Sequence, residues 1–350
     1  MSAKLFELGA AVESDVFTAD GRLLIAKGTI LTDYHIEHLH KHNIAQQTDS
    51  VPKDQEQTDP ALEIEEDSSA IQELYEKNMK MIEDVFHTVN NNGVLTTELF
   101  SEAVSIQDEL ITQLRDDREF IHCMLQKVDV DAYLFKHCLN VGIIARKIGE
   151  LLKVSISDQI LLARMGLFHD IGKIRVDKSI LNKPGRLSDT EFEEIKKHTK
   201  YGYDLLKGSP LDMIFLLSSL LHHERNDGTG YPGGIKGEKI PQLIQILSVA
   251  DTFDAICSNR VYKDGRSIFF AVNELMKDAE KGKLNENVVL TFTAYLLHHE
   301  KGRLIPLKDG RFIRILHVYP EKPNMPVIAI NDKEVLDLKK VGLTLQHYTH

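Results

Sequence analysis

The strongest constraint on this chain is a set of imidazoles and carboxylates placed at the ends of apolar helical runs. LLARMGLFHD sets its apolar side chains at helical spacing and then closes on His169 and Asp170, where the chain enters the turn IGK. Burying two such groups without partners costs on the order of several kcal/mol, so any fold that ends an apolar helix this way must compensate them. The pattern recurs with His137 in KHCLN, His198 in KKHTK, His222 and His223 in LLHHE, and Asp251 in SVADTFD. Each histidine alone reads as a satisfied helix-end residue. Gathered in one helical stretch, they point to a metal centre. Neutral imidazoles with carboxylates and no thiolate suit divalent iron, manganese, nickel or zinc, and a carboxylate can bridge two ions where an imidazole cannot.

Composition narrows the partners. The 350 residues carry a formal net charge of −11, which excludes the broad basic surface that duplex nucleic acid needs for counterion release. The 3 cysteines, Cys123, Cys138 and Cys257, are scattered, so neither a disulfide framework nor a thiolate zinc site is expected, and a reducing compartment is. No run of about 18 apolar residues occurs, and MSAKLFELGAAVESDVF lacks the pattern of a cleaved leader. The expectation is a cytoplasmic chain with no membrane segment.

The architecture expected is mainly α: an all-helical domain flanked by small β-containing modules at both ends. Residues 1–48 read as a β-plus-helix module, with a hairpin turn at Asp20-Gly21 and a short helix capped by Thr32. Residues 49–70, rich in acidic residues, Pro and Ser, read as a solvated linker. Helical spacing starts at Ile71 and pauses at Asn90–Gly93. Residues 71–128 then form a helical connector that either packs on the next domain or makes a dimer contact. Residues 129–302 are helical almost throughout, and Ser188 with Glu191 forms a capping box ahead of His198. The β-prone runs in 303–350 predict a strand-rich C-terminal module.

The segments HDIGKIRVDKSILNKPGRLSDTEFEEIKKH, HHERNDGTGYPGGIKGEKIP and ILSVADTFDAICSNRVY, in that order, resemble the HD-GYP subgroup of the HD phosphohydrolase superfamily. The resemblance covers about half of the chain. It implies that His137, His169, Asp170 and Asp251 ligate one metal, and that Asp170 bridges to a second held by His198, His222 and His223. Iron or manganese is the implied pair. Some members hold a third metal through a glutamate four residues before the first histidine; here that position is Tyr133, so two metals are expected.

The implied activity is hydrolysis of cyclic di-GMP to linear pGpG, with GMP as a further product, by a hydroxide bridging the two ions. Lys173 would neutralise charge developing on the phosphoryl oxygens, with Asp170 as the other catalytic residue. Arg186, Arg225, Gly230, Tyr231 and Pro232 are implied in substrate contact or in shaping the loop, which is also linked to signalling-protein contacts. Alternatives with the same residues are another cyclic dinucleotide or nucleotide as substrate, or a weakly active scaffold binding partners through the GYP loop. A homodimer is expected.

Other tempting residues read as structural. His298-His299-Glu300 repeats HHE without the DGTGYP continuation and reads as a helix end. His35, His38, His40 and His42 fit an exposed helix face. Asp254 reads as support for a neighbouring helix or a ligand histidine, and Cys138 as core. GKLNENVVLTF departs from the GTQFDP-like ending usual in the family.

Overall fold

The computed structural model describes residues 60–114, 132–183, 185–207, 211–258, 267–307 and 309–349, with short pieces of 1–59. The chain divides into two units, Met1–Glu63 and Ile64–His350. In the first, the strands are β1 (Lys4–Leu5), β2 (Val16–Phe17), β3 (Leu23–Ile25) and β4 (Gln46–Gln47). They form two antiparallel pairs, β1 with β4 and β2 with β3, beside a small buried cluster of Val12, Val16, Ile25, Leu31 and Leu39. The Asp20-Gly21 turn, most of the helix expected after Thr32 with its histidines, and Cys123 lie outside the described residues.

The first long helix, α1 (Pro60–Asn92), corrects the linker reading of 49–70, because it begins inside that stretch. Periodicity locates burial, not helicity. Pro60 tolerates the first turn, where no intrahelical N–H bond is made. Ala61, Leu62, Glu63, Glu65 and Glu66 are strong helix formers, and their acidic members suit the positive end of the helix dipole. The apolar side of α1, with Tyr75, Ile82, Val85, Phe86 and Val89, is buried in the core of the second unit. Gly93, at φ +78°, ends it by donating its N–H to Val89 O. The next helix, α2 (Thr97–Gln113), is capped by the Thr96 hydroxyl.

Two helices then set the geometry of the centre: α3 (Tyr133–Leu151) and α4 (Ile156–Phe168). They cross at Gly142 and Gly166, where a Cβ on Gly166 would fall on the Gly142 backbone. This close approach brings His137 on α3 beside His169 and Asp170 at the end of α4. A 3₁₀ turn, Ile171–Arg175, carries Lys173. After it come α5 (Asp189–Lys196), α6 (His198–Leu206), α7 (Met213–Leu221), α8 (Gln242–Ser258), α9 (Ser267–Glu280) and α10 (Glu286–His299). The expected capping box is present, with Ser188 and Glu191 exchanging backbone hydrogen bonds. The helix breaks at Lys197, so His198 opens α6 instead of extending α5.

A four-stranded antiparallel sheet closes the chain: β5 (Ile305–Pro306), β6 (Phe312–His317), β7 (Val327–Ile330) and β8 (Glu334–Asp337), in that order. Asn331 and Asp332, both at positive φ, make the β7–β8 turn. Ile313, Ile315, Ile328 and Ile330 share one buried cluster with the helices. The fold is mainly α with a small sheet, as the sequence pattern predicts. Among the described residues, no helix is long and apolar enough to cross a membrane.

Candidate metal centre

The helix ends converge on Asp170, which is fully buried. Its two carboxylate oxygens face different imidazoles. Oδ1 lies 3.2 Å from His198 Nε2 and 3.5 Å from His222 Nε2. Oδ2 lies 3.5 Å from His137 Nε2 and 3.4 Å from His169 Nε2. Asp251 adds a second carboxylate, with Oδ1 3.1 Å from His137 Nε2 and Oδ2 3.5 Å from His223 Nδ1. Two groups of donors result, Asp170 with His198, His222 and His223, and His137 with His169 and Asp251; within each, the donor atoms lie within 4.8 Å of one another.

Local hydrogen bonds decide which ring nitrogen points inward. Nδ1 of His169 donates to Gly166 O at 2.7 Å, that of His198 to Ile195 O at 2.6 Å, and that of His222 to Ser218 O at 3.0 Å. His137 Nδ1 donates to Asp254 Oδ2 at 2.8 Å. Carbonyl and carboxylate oxygens only accept, so Nδ1 carries a proton in each of these rings and Nε2 is the nitrogen turned to the centre; in His169 and His198, whose rings stay neutral, that Nε2 is unprotonated. Two buried atoms there, His169 Nε2 and Asp170 Oδ1, have no hydrogen-bond partner. Unprotonated nitrogens crowded around ionised oxygens with orphaned acceptors are what divalent cations complete, so the donor set fits metal.

The electrostatics agree for three of the imidazoles. Burial pulls the His169 imidazole down to about 3 and holds His198 and His223 below the ordinary value, which keeps these rings neutral. His137 is the exception in the metal-free chain: burial lowers it, but Asp251 and Asp254 outweigh that and lift it to about 10, so its Nε2 keeps a proton toward Asp251 that a bound cation would displace. Burial opposes ionisation of Asp170, yet Lys173 and the imidazoles prevail and hold it well below the usual range. Lys173 Nζ sits 2.5 Å from Asp170 Oδ2.

The GYP loop forms the rim. Gly230 packs so closely on the backbone of His223, Glu224 and Arg225 that no side chain fits there. Tyr231 N donates to His223 O at 3.2 Å, and its ring lies 4.7 Å from the His223 ring. Pro232 follows through a cis peptide bond. Arg225 donates from Nη2 to Thr252 Oγ1 at 3.3 Å, and its buried Nη1 has no hydrogen-bond partner. Arg186 is exposed and makes no hydrogen bond or ion pair to the cluster among the described residues.

Tyr133 stacks its ring on His137, 5.8 Å between centroids, in the position where a third-metal ligand is sought. Cys138 is buried core. His298 and His299 end α10, while Glu300 is buried and pairs with Arg303 at 2.9 Å. GKLNENVVLTF closes on the rim segment, with Lys283 O accepting from Asn226 N.

Several working residues escape sequence reasoning. Glu224 anchors the GYP loop, accepting from Gly233 N at 2.6 Å and Ile235 N at 3.0 Å; an acidic residue just ahead of a glycine-rich loop was the available signal. Ser219 and Ser248 hydroxyls donate to the carbonyls of His169 and His222, both at 2.7 Å. Phe192, exposed on α5, meets Tyr231 edge to face, with Lys196 over both rings. Its apolar side chain in the charged run TEFEEIKKH was the one hint.

The HD domain family model matches residues 99–288, more than half of the chain, and the chain belongs to that family. The HD-GYP resemblance carried by HDIGK and DGTGYP stands with it. The chain is 33% identical over 193 residues to the cyclic di-GMP phosphodiesterase response regulator RpfG of Xanthomonas campestris pv. campestris, covering 52% of this chain and 50% of that protein. It is 32% identical over 194 residues to the 3'3'-cGAMP-specific phosphodiesterase 3 of Vibrio cholerae, covering 53% and 42%. The chain thus spans about half the length of the curated relatives it matches. In fold it resembles Bd1817, a HDG"Y"P protein from Bdellovibrio bacteriovorus, with a TM-score of 0.55 at 15% identity over 85% of this chain and 99% of that one.

Proposed function

We propose that this chain is a metal-dependent cyclic dinucleotide phosphodiesterase that hydrolyses cyclic di-GMP to linear pGpG, with GMP as a further product. The observation that carries the reading is the division of the Asp170 carboxylate between two groups of imidazoles. Under it, His137, His169, Asp170 and Asp251 hold one divalent ion, and Asp170, His198, His222 and His223 hold the other. Iron or manganese suits these nitrogen and oxygen donors. Such ions, when bound, supply Lewis acidity toward a phosphodiester and acidify water.

The chain's own residues position the substrate. Lys173, fixed on the 3₁₀ turn beside Asp170, offsets charge that develops on the phosphoryl oxygens. Tyr231 at the rim and Arg225 behind it are assigned to substrate contact, on a loop shaped by Gly230 and Pro232, and exposed Arg186 is assigned to a phosphate. Net charge does not oppose this, since a substrate with two phosphates needs only a local positive site. A homodimer contact in 71–128, a signalling protein partner at the GYP loop, a cytoplasmic location and the domain boundaries at 128 and 302 belong to the same proposal.

A second reading, 3′3′-cGAMP as substrate, is favoured by the Vibrio relative. The test offers both dinucleotides side by side to the manganese-loaded chain and to Asp170→Ala. Cleavage of cyclic di-GMP that disappears in the variant is expected. Preference for 3′3′-cGAMP selects the second reading, and metal-loaded protein that leaves both intact refutes the two together.

A further inference from the structure

A buried chain of hydrogen bonds leads from the metal centre to a helix that precedes the matched segment 99–288. His137 donates to Asp254 Oδ2 at 2.8 Å; the other oxygen, Oδ1, accepts from Asn140 Nδ2 at 2.7 Å. The Asn140 amide oxygen accepts from the Tyr75 hydroxyl at 2.6 Å. Tyr75 stands on α1, Asn140 and His137 on α3, and Asp254 on α8, and each of these side chains is at most 2% exposed.

Chemistry fixes the direction of every bond. A carboxylate only accepts, so Asn140 must turn its amide nitrogen to Asp254, which leaves its oxygen toward Tyr75, and the phenol must donate. The result is that both Asp254 oxygens are held, one of them on the Nδ1 proton of His137, whose Nε2 is thereby aimed at Asp170 and Asp251. Partners of this kind set the tautomer and basicity of a ligating histidine, and their loss weakens metal binding about 10- to 100-fold.

We infer that Tyr75, through Asn140 and Asp254, is a positioning residue for the ligand His137, so that α1 is a working part of the metal centre although it lies outside the matched HD segment. The inference rests on the proposed reading that His137 holds metal. Tyr75 acts through the Asn140 side chain, whose amide oxygen accepts from its hydroxyl. It removes the freedom of the Asn140 amide to rotate and so fixes the carboxylate that orients the ring.

The test is a cycle on the full chain, stripped with chelator and titrated with Mn2+ against a competing chelator, using wild type, Tyr75→Phe, Asp254→Asn and the double variant. Asp254→Asn is expected to weaken one of two binding steps about 10- to 100-fold. Tyr75→Phe, which removes one hydroxyl, is expected to weaken the same step about threefold to tenfold, as a bond one link further out. The double variant is expected to bind no more weakly than Asp254→Asn alone. Should Asp254→Asn fail to fold, Asn140→Ser paired with Tyr75→Phe gives the same cycle.

A merely structural tyrosine lowers the melting temperature of the metal-free chain but leaves Mn2+ affinity where it was, and that outcome overturns the inference. So does a Tyr75→Phe effect that adds in full to Asp254→Asn. Wild-type protein that binds no Mn2+ overturns the metal reading and this inference together, whereas two-site binding unaffected by Tyr75→Phe overturns this inference alone.

Discussion

Replacing Gly166 with alanine tests whether the crossing of α3 and α4 is what holds His137 against His169 and Asp170. A Cβ at Gly166 would meet the Gly142 backbone and lie 2.7 Å from the Val141 carbonyl carbon, where an ordinary contact begins at 3.4 Å. Both obstacles are main chain, so no side chain can swing aside, and the Gly142 backbone, the nearer of the two, requires the helices to part by about 1 Å. Overpacking of this kind costs about 1–3 kcal/mol, and the rigidity of the obstacle places it near the upper end. Alanine returns about 1 kcal/mol of helix propensity, leaving a net loss of about 2 kcal/mol. Gly149→Ala is the control: its added Cβ meets the flexible end of Leu162 at 2.7 Å, so repacking relieves it and the propensity gain offsets most of the cost. Urea denaturation of the metal-free chain is the assay. A Gly166→Ala protein as stable as wild type, or no less stable than Gly149→Ala, would refute the argument. Because parted helices also separate His137 from Asp170, Mn2+ affinity is expected to fall with stability.

Glu224→Gln keeps one acceptor for the two backbone N–H groups of the GYP loop and sets an amide N–H against the other, at a cost of about 1–3 kcal/mol. Faster proteolysis within 225–237 is expected, and an unchanged cleavage rate would count against the anchor. Lys173→Met is expected to lower kcat about 100-fold while two metals stay bound; loss of metal instead would make the lysine a scaffold for Asp170. Metal bound at 100 times its Kd is expected to stabilise the folded chain by about 2.7 kcal/mol over the chelated form, and equal denaturation midpoints would argue against a built site. Asp170→Asn, which keeps the shape but removes the negative charge and turns one of the two donor oxygens into an NH2, is expected to leave at most one tightly held ion, as read by elemental analysis.

The helix-end residues were legible because each lies beside its own signal. An apolar run at helical spacing that closes on His-Asp or His-His is a local pattern, and the motifs around it occur in a fixed order. The same holds for the capping box at Ser188 and Glu191, whose chemistry involves only near neighbours. The linker reading of 60–70 failed for the complementary reason. That reading relied on an apolar face, and a helix can extend beyond the stretch whose periodicity marks one.

By itself, then, the sequence determined the kinds of donors, their number at each helix end and the absence of thiolate from the centre. Tertiary structure alone decided which oxygen of Asp170 faces which imidazole, that Gly142 and Gly166 let two backbones approach closely enough for it, and that Tyr75 ends a chain of bonds starting at His137. Hydrogen bonds and steric contacts act over about 3 Å in space, and the residues that make them here are separated by as many as 117 positions in the chain. No local pattern encodes that distance; only the packed core does.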